Sequence, residues 1–189
     1  MVLMEQPVTE RMRVELPTRP LTLDDVTLLA GLDETHRYEL DEGNLIIMPQ
    51  PTVQHSKIMN RLQVWLSSGY PIDLILPVPG LRIFENSTGR SPDLVVLRHP
   101  VDDDISWLDP DTVAIAVEIV SPSSRKMDRL VKPAEYAKAG IPRYWRVERE
   151  SGPVTVHQYV LDIAGPVYSL ERSLTLDDLL AEAPPKLVL

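Results

Sequence analysis

The chain has 189 residues, no cysteine, 43% hydrophobic residues and 25% charged residues. This length predicts one domain with a core large enough to fold without a disulfide or a structural metal. The missing cysteines exclude a disulfide scaffold, zinc sites built on thiolates, iron–sulfur clusters and cysteine nucleophiles. No apolar stretch has the length of a membrane span or the form of a signal peptide, so we expect a cytoplasmic protein with no membrane partner.

The formal net charge is −9 at pH 7, so the chain lacks the overall basic character typical of nucleic-acid-binding domains. The stretch from Ser121 to Arg149 departs from this balance, because it contains eight Lys or Arg residues against three Asp or Glu residues. A local basic face on an acidic body is suited to contact with a polyanion. The alternative interpretation is a solvated helix and strand that happen to be rich in arginine.

The N-terminal part of the chain predicts an arm, a helix and a β-hairpin. Residues 1–20 hold three prolines and no clear period, so we expect a mobile arm before a single domain at 21–189. Thr22 is expected to cap a helix that reaches about Ala30. The segment Arg37–Met48 predicts a hairpin whose turn contains Gly43.

Helical and extended patterns then alternate without the regular repeat of a parallel α/β protein. One apolar stripe predicts a helix over Thr52–Ser68. A second helical pattern covers Ser123–Ala139, where Pro133 predicts a kink or two abutting helices because proline cannot donate the i→i−4 hydrogen bond. The remaining predicted strands are Asp73–Leu76, Leu81–Phe84, Asp93–Leu97, Thr112–Val120, Arg143–Val147, Val154–Leu161 and Val167–Arg172, followed by a helix at Thr175–Ala181. This order predicts an α+β fold.

Two acidic residues stand among apolar strand residues. Asp93 opens one strand, and Glu118 lies inside the β-branched run from Val113 to Val120. A carboxylate in such a place needs a pairing partner, hydrogen bonds or a cation, because bare burial is costly. Two carboxylates converging with a backbone carbonyl make a site suited to Mg²⁺. The alternative is a salt bridge from Glu118 to a nearby arginine.

The sequence Pro-Asp occurs twice, at Asp93 and at Asp111. Only Asp93 leads directly into apolar residues, which favours Asp93 as the site carboxylate, whereas Asp111 is expected in a turn. Asp128, Lys132 and Tyr136 are spaced four apart, so they share one face of the helix after Glu118. A lysine near a phosphodiester can orient the attacking water and neutralise developing charge. The alternative for this lysine is a simple helical ion pair with Asp128.

Taken together, these motifs resemble the Uma-type putative restriction endonucleases of the PD-(D/E)XK nuclease superfamily. The resemblance covers about residues 22–182. It rests on Pro92–Val96, on Val117–Ser123 and on residues between Asp128 and Trp145, with further matches at Tyr38-Glu39-Leu40, Gly43, Met48-Pro49 and His55.

The resemblance implies a restriction-endonuclease-like central mixed β-sheet flanked by helices, with an N-terminal helix and β-hairpin. It implies that Asp93 and Glu118 ligate Mg²⁺, for which Mn²⁺ can substitute, and that Ile119 lends its carbonyl. Glu39 is implied as an additional acidic residue. The lysine of the superfamily's E-x-K pattern would fall at position 120, which is valine here, and the resemblance gives that role to Lys132.

These implications predict a Mg²⁺-dependent endonuclease that hydrolyses phosphodiester bonds in DNA. Contacts to DNA are expected from His55, Arg125, Lys126 and Arg129, although a cap at its own helix is the alternative for His55. We expect a homodimer, because two DNA strands must be cut and each chain has one site.

Two other functions stay open at this point. One is a non-catalytic nucleic-acid- or protein-interaction module that retains the nuclease fold. The negative net charge favours it, since this charge opposes unassisted DNA binding. A fold also does not by itself imply activity. A two-carboxylate glycosidase has only the paired acids in its favour.

Overall fold

The computed structural model describes residues 16–33 and 35–186. Most of the arm expected at residues 1–20 therefore lies outside the described residues. The four helices are α1 (Leu23–Leu32), α2 (Val53–Leu66), α3 (Lys132–Lys138) and α4 (Leu176–Ala181). The strands are β1 (Arg37–Asp41), β2 (Asn44–Met48), β3 (Ile75–Pro77), β4 (Leu81–Phe84), β5 (Thr88–Arg90), β6 (Leu94–Leu97), β7 (Val113–Ile119), β8 (Arg143–Glu148), β9 (Thr155–Leu161) and β10 (Tyr168–Thr175). Within these ranges no helix is both long enough and apolar enough to cross a membrane.

The central sheet has six strands in the order β10-β9-β8-β7-β6-β3. Only β7 and β8 run parallel, and the other neighbours are antiparallel, so the sheet is mixed. Every residue of β7 is buried, Glu118 included, because both faces of this strand are covered. The architecture confirms the predicted mixed α+β fold with a central sheet flanked by helices.

The two faces of the central sheet pack against different helices. On one face, α2 and α4 enclose a core that contains Trp65 and Trp145. On the other face, α3 packs through Tyr136 against Tyr144 of β8. Glu118 belongs to the second face, because Ala116 of β7 faces it and Glu118 follows two residues later on the same side.

A second sheet has the order β2-β1-β5-β4 and lies beside α1. Thr22 caps α1, as the sequence predicted, and does so through a reciprocal capping box with Asp25, although the helix continues to Leu32 and not to about Ala30. The predicted hairpin is formed by β1 and β2, and its turn uses the left-handed backbone at Glu42 and Gly43. This sheet positions Glu39, which is buried in the middle of β1.

Two segments have a different structure from the one that the sequence predicts, apart from shifts in where other elements begin and end. The segment predicted as a strand at Asp73–Leu76 begins as a 3₁₀ turn over Ile72–Leu74, and only Ile75–Pro77 pairs in the sheet. Strand β5 was not predicted, because Thr88, Gly89 and Arg90 show no alternating apolar pattern.

The helix that carries Lys132 accommodates Pro133 through a wider turn. Residues Met127–Val131 form a π-helical turn, in which the Lys132 N–H donates to the Met127 carbonyl. Helix α3 then begins at Lys132, so Pro133 occupies its first turn, where the missing N–H costs little. The predicted interruption therefore takes the form of a π turn that leads directly into a helix.

Candidate active site

Asp93 and Glu118 face the same side of the central sheet. Leu94 pairs with Val117 in the antiparallel β6–β7 ladder, so the adjoining position places Asp93 opposite Glu118. Residues directly opposite each other in such a ladder share a face. Both carboxylates line one cleft of about 310 Å³.

Asp93 is buried and held by donors on both sides. Its Oδ2 accepts a hydrogen bond of 2.7 Å from the Ile119 N–H and lies 3.1 Å from Nε2 of His55. The Arg37 guanidinium stands 3.7 Å from its Oδ1. Burial alone would raise the pKa of Asp93, but His55 and the Ile119 N–H outweigh burial and lower it. Asp93 is therefore held as a carboxylate.

Glu118 is buried under α3 and has two donors on one oxygen. Lys132 Nζ lies 2.9 Å from Oε1, and the Tyr136 hydroxyl donates to the same oxygen at 2.6 Å. Burial raises the pKa of Glu118 well above its usual range, and the neighbouring acids add to this although Lys132 opposes it. The surroundings of Glu118 therefore disfavour its charged form.

Lys132 is the cation of a buried group of acids. Its Nζ lies 2.9 Å from Oε1 of both Glu118 and Glu39, and 3.7 Å from Oδ1 of Asp128. Burial would lower the pKa of Lys132, but these three carboxylates raise it overall. Lys132 is therefore an ammonium ion. We call Glu39, Asp93, Glu118 and Asp128 the acid cluster.

The π turn fixes one member of the acid cluster. Asp128 lies in that turn, and its carboxylate accepts a hydrogen bond from the Ser124 hydroxyl. Its backbone carbonyl accepts from the Tyr144 hydroxyl at 2.5 Å. Burial raises the pKa of Asp128, although Lys132 opposes the shift. The wide turn therefore places Asp128 and Lys132 together over β7.

Arg90 connects the second sheet to α3. It is completely buried and donates to Glu135 at 2.7 and 2.5 Å and to Asp41 at 2.6 Å. It also lies 4.0 Å from Oε2 of Glu39, whose Oε1 accepts from the Ser91 N–H at 3.0 Å. Burial opposes the charge, but Glu135 and Asp41 raise the pKa of Arg90 overall. Arg90 thus helps to set the position of Glu39 against Lys132.

Replacing Arg90 with methionine is expected to lower the free energy of unfolding by about 3 kcal/mol, because the buried Glu39 and the partly buried Glu135 lose a cationic partner. Urea unfolding followed by circular dichroism measures this loss. Arg82→Met is the matched control, because Arg82 and its partner Asp109, 3.4 Å away, are both exposed and their ion pair should contribute little to stability. Equal stability of the two variants would contradict a structural role for Arg90.

The other residues predicted for the site fall into two groups. His55 lies in the first turn of α2 and lines the cleft. Arg125, Lys126 and Arg129 do not line it. Arg125 pairs with Glu150 at 2.6 Å, Arg129 pairs with Glu148 at 2.7 Å, and Lys126 is exposed.

Three arginines that sequence reasoning did not select belong to the surroundings of the site. Arg37 and Arg149 line the cleft, and Arg90 lies behind Glu39. The sequence could have indicated Arg149, because it follows a predicted strand that comes next along the chain after the Glu118 strand and the helix. The sequence could not indicate Arg37 and Arg90, because their positions depend on how the second sheet docks against the first.

The donor set of the cleft fits Mg²⁺. No group of three or more His, Asp or Glu side chains in the described ranges is arranged to hold a metal by itself. Mg²⁺ commonly binds through one or two carboxylates and keeps several waters, which matches Asp93, Glu118 and the Ile119 carbonyl. Burial and neighbouring acids raise the pKa values of Glu118 and Asp128, and a divalent cation bound at the cleft would favour the ionised form of Glu118.

Comparison with known proteins agrees with this fold. A crystal structure of a putative nuclease belonging to DUF820 from Anabaena variabilis ATCC 29413 matches with a TM-score of 0.63 and 20% identity, covering 86% of this chain and 98% of that chain. No curated protein matches the chain. The model of one family, described as "Uma2: Putative restriction endonuclease", matches residues 23–185. Because that match spans most of the chain, the protein belongs to the Uma2 family, as the sequence resemblance predicted.

Proposed function

We propose that the protein is a Mg²⁺-dependent endonuclease that hydrolyses phosphodiester bonds in DNA, with Mn²⁺ able to substitute. One observation carries this proposal: Asp93 and Glu118 face a common cleft, with the Lys132 ammonium 2.9 Å from Glu118. Two carboxylates and a cation are the groups that metal-assisted attack of water on a phosphodiester requires. A homodimer is part of the proposal, because it supplies one cleft for each strand.

Three side chains of the site have direct roles in this proposal. Bound Mg²⁺ supplies polarisation of the phosphate and a lower pKa for bound water. Asp93, Glu118 and the Ile119 carbonyl are the groups that hold it. Lys132 acts as an ammonium, since its pKa is raised. It therefore orients the water and neutralises charge, whereas removal of the proton from the water falls to another group.

Asp93→Asn is expected to reduce plasmid cleavage by about 100-fold or more, because the metal supplies several kcal/mol to the transition state. Asp111→Asn is the matched control, since the exposed Asp111 belongs to the other Pro-Asp pair and should leave cleavage unchanged. Supercoiled, relaxed and single-stranded DNA are assayed with Mg²⁺ or Mn²⁺. A thermal shift on adding Mg²⁺ without DNA should be present in the Asp111 variant and absent in the Asp93 variant.

The interaction module is the second candidate. The net charge of −9 and the pairing of Arg125 and Arg129 with glutamates favour it, because both weaken unassisted attraction to DNA. Its expected result is DNA or protein binding with no cleavage in either metal. Cleavage that survives in Asp93→Asn would contradict the proposed assignment of the site.

A further inference from the structure

Arg149 lines the cleft and is held by neutral partners. Its Nε donates to the Val120 carbonyl at 3.0 Å. Its Nη1 donates to Oγ1 of Thr52 at 3.1 Å and to Oε1 of Gln54 at 3.0 Å. A carbonyl, a hydroxyl and an amide orient the guanidinium without neutralising its charge.

The neighbouring arginines differ in this respect. Arg125, Arg129 and Arg143 each pair with a glutamate, at 2.6, 2.7 and 2.7 Å. Arg149 forms no ion pair with any described residue. Arg149 is therefore an arginine of the basic stretch, residues 121–149, whose charge remains available to an anion.

The position of Arg149 relates it to the acid cluster. Strands β7 and β8 run parallel, so their C-terminal ends meet at one edge of the sheet. Glu118 and Ile119 end β7 at this edge, and Arg149 directly follows β8. Arg149 lines the same cleft as Asp93 and Glu118. A strand of DNA with one phosphate at the carboxylates would bring a neighbouring phosphate towards this wall of the cleft.

The start of α2 reinforces the positive character of this wall. Thr52 caps α2, and the N-terminal end of a helix of 14 residues carries a partial positive charge. Thr52 and Gln54 therefore fix the guanidinium where the helix also favours an anion. A planar guanidinium with its orientation fixed is well matched to the oxygens of a phosphate.

We propose that Arg149, held by Thr52, Gln54 and the Val120 carbonyl, binds a phosphodiester oxygen of the DNA strand at a subsite next to the phosphate that is cut. This inference rests on the proposed function. It assigns the main phosphate contact to Arg149 and not to the paired Arg125 and Arg129.

The test is the salt dependence of DNA binding, measured without catalysis. Fluorescence anisotropy of a labelled duplex in EDTA gives the dissociation constant across NaCl concentrations. Arg149→Gln should weaken binding by about tenfold at low salt and reduce the slope of log K against log salt by ~0.9. Arg143→Gln, at the opposite end of β8 and paired with Glu171, should leave the slope unchanged.

Arg149→Lys and a modified DNA extend the test. The lysine variant keeps the charge and should keep the slope, while the loss of the fixed guanidinium weakens binding. Duplexes with single neutral methylphosphonate linkages should reveal one linkage that weakens binding of the wild-type protein but not of Arg149→Gln. Circular dichroism confirms that the variants are folded.

The outcomes separate the two proposals. If the wild-type protein neither binds nor cuts DNA, the proposed function fails and this inference fails with it. If the wild-type protein binds and cuts DNA but Arg149→Gln has the wild-type slope, only the inference is overturned. If the slope of log K against log salt is reduced for Arg125→Gln and unchanged for Arg149→Gln, the phosphate contact belongs to Arg125 and not to Arg149.

Discussion

Lys132→Met is expected to abolish metal-dependent cleavage while DNA affinity changes little. The ammonium lies 2.9 Å from Glu118, where it can act on the attacking water and on charge that develops in the transition state. An interaction made mainly in the transition state lowers the cleavage rate far more than it weakens binding. Single-turnover cleavage and DNA anisotropy measure the two effects separately.

The same variant is expected to lose about 3 kcal/mol of stability, because Glu39 and Glu118 lose a buried partner. Assays therefore belong well below its melting temperature. Lys132→Arg should restore little cleavage, since the planar guanidinium differs in shape from the compact ammonium. Lys138→Met is the matched control, because Lys138 is exposed at the end of the same helix. Cleavage by Lys132→Met at the wild-type rate would make Lys132 purely structural.

Glu118→Gln is expected to be inactive and yet more stable than the wild-type protein when no divalent metal is present. Burial and neighbouring acids raise the pKa of Glu118, so the fold favours its protonated form and loses stability as the pH rises above the ordinary pKa of a glutamate. Glutamine keeps the shape and can accept from Lys132 and Tyr136 without the charge. A gain of about 1 kcal/mol is expected, as is typical when a strained functional group is neutralised.

Glu148→Gln is the control, because its change in stability should have the opposite sign. Glu148 ends the neighbouring parallel strand, and Arg129 lowers its pKa, so its charge stabilises the fold. Thermal unfolding in EDTA should give a higher melting temperature for the Glu118 variant and a lower one for the Glu148 variant. Addition of Mg²⁺ should reverse the order of wild type and Glu118→Gln. A lower melting temperature for Glu118→Gln in EDTA would mean that Lys132 compensates Glu118 fully.

Much of the local structure could be predicted from the sequence. The β-branched run of β7 predicted a buried strand, and a single Glu118 inside that run marked the site. Thr22 was correctly predicted as a helix cap. These features depend on residues close together in the chain, where periodicity and capping are directly visible.

The surroundings of the site could not be predicted in the same way. Strand β5 has three residues and no pattern, so the buried position of Arg90 depends on how the two sheets meet. The partner of Glu118 is a lysine and not the arginine considered as the alternative. Pro133 predicted an interruption, but the direction of Lys132 depends on the width of the turn before it.

The π turn has a consequence for how relatives of this chain are recognised. A turn of this kind carries one residue more than the α-helical path, and one residue corresponds to about 100° of rotation around a helix. Deleting one residue between Asp128 and Lys132 would leave Lys132 directly before Pro133, shorten the spacing of the two residues from four to three, and shift the Asp128 carboxylate around the helix relative to the ammonium. Relatives that lack one residue in this turn can therefore keep the lysine, while the acid that contacts it stands at a different position of the sequence alignment. A search based on fixed spacing would miss such relatives, whereas one anchored on Pro133 would find them.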